Sequence, residues 1–214
     1  ADLPGTDYDI YISTGGPGSP VVGEPENAEW EKRYFSLLDD LWQWNKKQQK
    51  PPKYVFFICH SFQLACQHFK VAKVTERKSM SFGIFPIHKT PSGTHEVLFA
   101  GLNDPFYAAD FRTYQAIQPD YSRLEELGAE ILALEKIREH VPLERALMAI
   151  RFSDYFFAVQ FHPEADPTGM REHFTDDERM EKVIAEHGSD KYYEMIAHLE
   201  DPDRLSMTFY TILP

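Results

Sequence analysis

The sequence predicts an α/β protein built on one sheet with a mostly parallel centre. Three observations carry that expectation. Apolar strand-like runs alternate with segments of helical periodicity. One run, Tyr54-Val55-Phe56-Phe57-Ile58, is apolar at every position, as in a strand buried on both faces of a parallel sheet. Glycine-rich or chemically reactive residues follow three runs directly, and open α/β sheets bind ligands beyond the carboxyl ends of their strands.

Taken in order, Tyr8 to Ile12 reads as a short strand that enters Ser13-Thr14-Gly15-Gly16-Pro17-Gly18-Ser19-Pro20, where glycine and proline end it sharply. From about Glu26, the residues Trp30, Tyr34, Leu37, Leu38, Leu41 and Trp42 recur at helical spacing, and the polar run Asn45 to Lys50 with Pro51-Pro52 closes that helix. The strand Tyr54 to Ile58 passes at once into a helix, roughly Ser61 to Phe69. Ser81 to Lys89 and Glu96 to Ala100 read as strands joined by the turn Pro91-Ser92-Gly93, and Ile131 to Leu134 and Ala146 to Phe152 as two more. Asp154 turns the chain into an apolar strand from Tyr155 to Phe161 that ends at His162-Pro163-Glu164. Beyond it the pattern is helical and charged. Thr175 to Glu178 matches a capping box, Gly188 is placed to stop that helix, and a shorter one spans about Asp190 to Glu200. The expected division is residues 1–166 as the sheet domain and 167–214 as a C-terminal helical extension packed on it.

Composition narrows the function classes. The chain has 214 residues, 43% of them hydrophobic, enough for one substantial core. Its 34 acidic against 22 basic residues leave a net charge of -12, which would repel a phosphate backbone or an anionic bilayer, so neither nucleic acid nor membrane is an expected partner. No apolar run approaches the roughly 20 residues of a membrane span, and ADLPGTDYD lacks the features of a signal peptide. The two cysteines, Cys59 and Cys66, suit neither a disulfide framework nor a C-x-x-C site, so the expected compartment is the reducing cytoplasm. The nine histidines are scattered; no metal site is legible and no cofactor is expected.

Three places carry chemistry. Cys59 stands where a buried strand gives way to a helix, an elbow that would hold its sulfur at a helix N-terminus, where anions are favoured. A lone cysteine in that setting also fits a buried core residue, the role expected of Cys66. His162 and Glu164 lie two apart on an extended segment, so their side chains project to the same side and the carboxylate can take an imidazole N–H; Pro163 stiffens the pair. Nucleophile, base and orienter is the arrangement of covalent acyl transfer. The Gly15 loop could bring backbone N–H groups to a developing oxyanion. It has neither the Lys-Ser/Thr of a phosphate loop nor a G-x-G-x-x-G register.

These residues resemble a known family. Thr14 to Pro20, the elbow Ile58-Cys59-His60-Ser61-Phe62-Gln63-Leu64, and Val159-Gln160-Phe161-His162-Pro163-Glu164-Ala165 are similar to the three signature segments of class I glutamine amidotransferases, in the family's order, with the glutaminase domains of GMP synthases the nearest in pattern. The resemblance implies a flavodoxin-like three-layer sandwich that turns L-glutamine into glutamate and ammonia through a cysteine thioester, for a synthetase partner. It implies Cys59 as nucleophile, His162 as proton shuttle and Glu164 as orienter. The backbone N–H groups of Gly16 and His60 would form the oxyanion hole, and Gln63, with Thr113 and Tyr114, would contact substrate. A γ-glutamyl hydrolase or a catalytically silent binding domain on the same scaffold are the alternatives. Phe57, Ser61 and Phe62 stand where the family has Gly, Gly and His, and the bulk of Phe57 puts the usual close packing of the elbow in question. The family fold also opens with an earlier βα unit, which takes roughly 30 residues or more, so the chain is expected to lack that first unit.

Overall fold

The computed structural model describes residues 3–16, 18–21, 28–139 and 142–213. Its strands are β1 (Ile10–Ser13), β2 (Tyr54–Ile58), β3 (Lys73–Lys89), β4 (Phe106–Ile117), β5 (Glu130–Leu134), β6 (Leu147–Ser153) and β7 (Phe156–Val159). Its helices are α1 (Ala28–Lys46), α2 (His60–His68), α3 (Tyr121–Leu127), α4 (Pro167–Phe174), α5 (Asp177–His187), α6 (Ser189–Glu200) and α7 (Met207–Ile212). Among the described residues these seven strands form one sheet in the order β1-β2-β7-β6-β5-β3-β4. The α/β class is the one expected. Pairing is parallel across β1, β2 and β7 and antiparallel between β6 and β7 and between β3 and β5.

The chain divides into two compact units. The first comprises Ala1–Arg77, Tyr114–Ile131 and Ala149–Gln160. Here α1 buries Tyr34, Leu38 and Leu41, a stripe at spacings of four and three that faces the core. The expected start of this helix, about Glu26, and Pro17 of the glycine loop lie outside the described residues. Phe57 on β2 is fully buried, with its ring centroid 5.8 Å from Phe156 and 6.4 Å from Phe152. Phe69 and Trp42 complete this aromatic cluster, each within 5.1 Å of Phe156 or Phe152. The bulk that replaces glycine at position 57 is therefore core volume, taken up by other rings.

The second unit comprises Lys78–Thr113, Leu132–Met148 and Phe161–Pro214. Val183 of α5 and Tyr192, Met195 and Leu199 of α6 join Ile84 of β3 and Ala109 of β4 in one buried apolar cluster. Two polar ties fix the helices to the strands: Thr208 Oγ1 donates to the Tyr107 carbonyl at 2.6 Å, and His198 Nδ1 bonds the Ile84 carbonyl at 2.9 Å.

Local structure departs from expectation at several points, among them β3, which starts at Lys73 and not at Ser81, and the turn at Pro163 and Glu164 where extended chain was expected. Glu96–Ala100 is not a strand: the chain forms two short 3-10 turns, Gly93–His95 and Val97–Phe99, because the Glu96 carboxylate accepts from the Leu98 N–H and caps the second. β4 goes unread in the sequence because Asp110 and Arg112 interrupt its apolar pattern; both are buried and neutralise each other, Arg112 Nε lying 2.8 Å from Asp110 Oδ1. α3 also goes unread, since seven residues hold too little periodicity, although Asp120 caps its start and Gly128 (φ 71°) ends it. The helix after Thr175 is capped by Asp176, whose carboxylate accepts from the Arg179 N–H. The Thr175 hydroxyl instead donates back to the Arg171 carbonyl at the end of α4.

Candidate active site

β2 buries Val55, Phe57 and Ile58 and delivers Cys59 to the first turn of α2 with φ 56° and ψ -104°. A residue with a β-carbon avoids that region, at a cost of roughly 1–3 kcal/mol, so the surroundings must hold it there. They do so through the backbone: the Cys59 N–H donates to the Val159 carbonyl at 2.9 Å, and the Cys59 carbonyl accepts from the Gln63 N–H at 3.2 Å. The result is the sharp elbow expected, with the thiol at a helix start and 9% of the residue exposed. Both cysteines are free thiols. Cys66 is fully enclosed, and burial pushes its thiol far up, so it is core.

The glycine loop leaves β1 and is tied down by side chains of α2. Ser61 Oγ donates to the Thr14 carbonyl at 2.6 Å and meets Ser13 Oγ at 2.8 Å, and Ser13 Oγ lies 2.8 Å from Tyr34 Oη. Gln67 Nε2 donates to the Pro20 carbonyl, and the His60 imidazole bonds the Ser19 backbone. Ser61 thus occupies a glycine place of the family pattern and fastens the loop through its hydroxyl. These loop ties, from Ser13, Tyr34, Ser61 and Gln67, are what sequence reasoning missed; hydroxyls on unlinked elements carry no spacing signal. His60 opens α2, so its N–H is among those a helix leaves free. Burial lowers the pKa of its ring, and a cavity of about 580 Å³ beside it is lined by Ser13, Thr14, Trp30 and Tyr34 among others. At Gly16 a β-carbon would meet nothing within 4 Å, so the space around it is open.

β7 runs parallel to β2, with Ile58 opposite Val159. The chain reaches His162 three residues after Val159. In the second unit the His162 N–H donates to the Ala109 carbonyl at 2.9 Å, and His162 Nδ1 lies 2.7 Å from Glu164 Oε1. The Phe111 ring stands 6.2 Å from the imidazole. A carboxylate on Nδ1 is the kind of partner that fixes an imidazole's tautomer and orientation. A cavity of about 430 Å³ opens beside this pair, lined by Phe111, Met170, His173 and Phe174 among others.

The remaining expected residues fall as follows. Gln63 is buried, and its Nε2 donates to the Tyr114 carbonyl (3.3 Å) and to Gln160 Oε1 (2.9 Å), so Gln63 and Tyr114 are brought together. Thr113 is exposed on β4. Among the described residues no three His, Cys, Asp or Glu side chains gather to hold a metal ion, and no helix is long and apolar enough to cross a membrane.

The residues that build this geometry fall within a known family pattern: the family model described as glutamine amidotransferase class-I matches residues 4–182. Solved structures with a similar fold include a glutamine amidotransferase from Thermotoga maritima (TM-score 0.66, 14% identity, 100% of this chain and 82% of that one). A glutamine amido transferase from Methylobacillus flagellatus is similar too (TM-score 0.57, 17% identity, 92% and 72%). So is a protein from Thermoplasma acidophilum described as a putative GMP synthase subunit (TM-score 0.54, 18% identity, 75% and 66%). At these identities the likeness is one of fold, and the fold is flavodoxin-like. No curated protein matches the chain.

Proposed function

The chain belongs to the class I glutamine amidotransferase family, and from that premise we propose that it is a glutaminase in which Cys59, His162 and Glu164 hydrolyse the side-chain amide of L-glutamine. The observation that carries the proposal is the end of the parallel β2–β7 pair. There the Cys59 N–H meets the Val159 carbonyl, three residues before a histidine already bonded to a carboxylate.

In the proposed reaction His162 Nε2 takes the Cys59 thiol proton while the sulfur attacks the amide carbon. The carbonyl oxygen gains a negative charge, which the Gly16 and His60 N–H groups stabilise; each such donor contributes about 10²- to 10³-fold in rate. Collapse of the intermediate breaks the C–N bond, and the proton held by His162 passes to nitrogen as ammonia leaves. Water then attacks the thioester, its proton returns through His162 to sulfur, and glutamate departs. Glu164 keeps the imidazole in the tautomer that exposes Nε2 throughout. Gln63, Thr113 and Tyr114 are proposed to shape the glutamine site; with both Gln63 Nε2 protons already used, its Oε1 is the atom available to a substrate donor. The ammonia is proposed to serve a synthetase partner.

Treatment with an electrophilic glutamine analogue, read by mass spectrometry beside a Cys59→Ala control, tests the assignment. An adduct on Cys59 is expected. Folded protein that carries none would overturn it.

A further inference from the structure

Resting on the reading of Cys59 as nucleophile, we propose that Gln160 is a positioning residue that holds the Cys59 elbow in its left-handed conformation through a closed circuit of hydrogen bonds. The circuit lies wholly in the first unit. The Cys59 N–H donates to the Val159 carbonyl (2.9 Å), and the Cys59 carbonyl accepts from the Gln63 N–H (3.2 Å). Gln63 Nε2 then crosses to Gln160 Oε1 (2.9 Å), on the residue next to Val159. Both peptide groups that flank the Cys59 Cα are thereby anchored to the end of β7, one directly and one through two glutamine side chains.

Two further observations support a role beyond filling space. Gln160 is 0% exposed and Gln63 is 3% exposed, so water does not compete for their bond, and such bonds are strong in a low-dielectric interior. The Gln160 Nε2 has no hydrogen-bond partner among the described residues, and a buried donor left so lowers stability. An apolar side chain of the same length would avoid that loss, so what the amide contributes is its accepting oxygen. A backbone held at φ 56° on a residue with a β-carbon persists only while it is over-determined. Cutting the circuit at Gln160 leaves the Gln63 amide only its longer bond to the Tyr114 carbonyl (3.3 Å), lets Cys59 relax toward negative φ and swings the sulfur off line.

The test compares two reagents on the full chain. An electrophilic glutamine analogue needs a positioned sulfur, whereas iodoacetamide needs only an accessible one. Gln160→Met, close in length and lacking the acceptor, is expected to slow analogue labelling of Cys59 on the order of tenfold or more while iodoacetamide labelling stays within about threefold. Gln160→Glu retains an acceptor oxygen and is expected to recover most of the analogue rate. Equal loss with both reagents, no loss with either, or a Glu variant as slow as the Met variant would overturn the assignment. Should the Met variant fail to fold, the Glu variant decides: labelling near the wild-type rate supports the circuit and its loss overturns it. A wild-type protein that takes no adduct at Cys59 removes the nucleophile reading itself, and this inference with it, a result distinct from the others.

Discussion

Cys59 carries a backbone cost that its neighbours offset. At φ 56° and ψ -104°, a glycine would sit without strain and an alanine would not. Both Cys59→Gly and Cys59→Ala are expected to lose glutamine hydrolysis, yet the glycine variant should be the more stable by more than about 1 kcal/mol in urea titrations. The reverse order would show that the elbow is not strained. His162→Gln, with Nε2 chemistry removed, is expected to lower kcat by about 10²- to 10⁴-fold in an assay of glutamate release. Glu164→Gln, which leaves the imidazole in place beside an amide, should fall less far. If the two losses were equal, Glu164 would be doing more than orienting.

Among the elements, β2 is joined to β6 and β7 by ring packing. Phe57, enclosed by Phe152 and Phe156, places a ring where the family pattern has glycine, and Phe57→Ala is expected to cost about 3–5 kcal/mol in unfolding free energy. A smaller loss would mean that the cluster collapses into the gap. Farther along, the cap of α5 separates two adjacent residues by role. Asp176→Ala should cost about 1 kcal/mol through the lost bond to Arg179, whereas Thr175→Ala, which touches only the last turn of α4, should cost less. Chemical denaturation of the two variants distinguishes them. The capping-box spacing pointed one residue too early because Thr175 and Asp176 are both capable caps, and only the turn between α4 and α5 selects one.

For the whole molecule, acid stability follows from burial of imidazoles. Burial lowers the pKa values of His60, His68 and His198 from the ordinary 6.5, so each binds its proton less readily folded than unfolded. Their contribution to stability is present above pH 6.5 and is lost as pH falls through the depressed folded values. An opposing trend comes from net charge: at -12 the chain repels itself near neutrality, and that repulsion fades toward its pI of about 5.2. The histidine part is therefore read by difference. His198→Asn, whose amide can still donate to the Ile84 carbonyl, is expected to lose less stability than wild type between pH 7.5 and 5.5 in urea midpoints. Identical slopes would remove His198 as a contributor.

The sequence by itself determined the α/β class, the elbow and the His162–Glu164 pair, because each is written in contiguous residues: an all-apolar strand, a strand-to-helix junction, and two residues two apart, which a turn closed by the Ala165 N–H on the His162 carbonyl (3.3 Å) brings together where extended chain was expected. Tertiary structure alone decided the rest. Whether Phe57 is tolerated depends on rings a hundred residues away, and whether Asp110 and Arg112 sit in a strand depends on each neutralising the other inside. The loop ties from Ser61 and Gln67, and the bond from Gln63 to Gln160, join side chains far apart in the chain. A hydrogen bond between distant side chains leaves no periodicity behind, since its partners are chosen by where the backbone places them and not by their spacing.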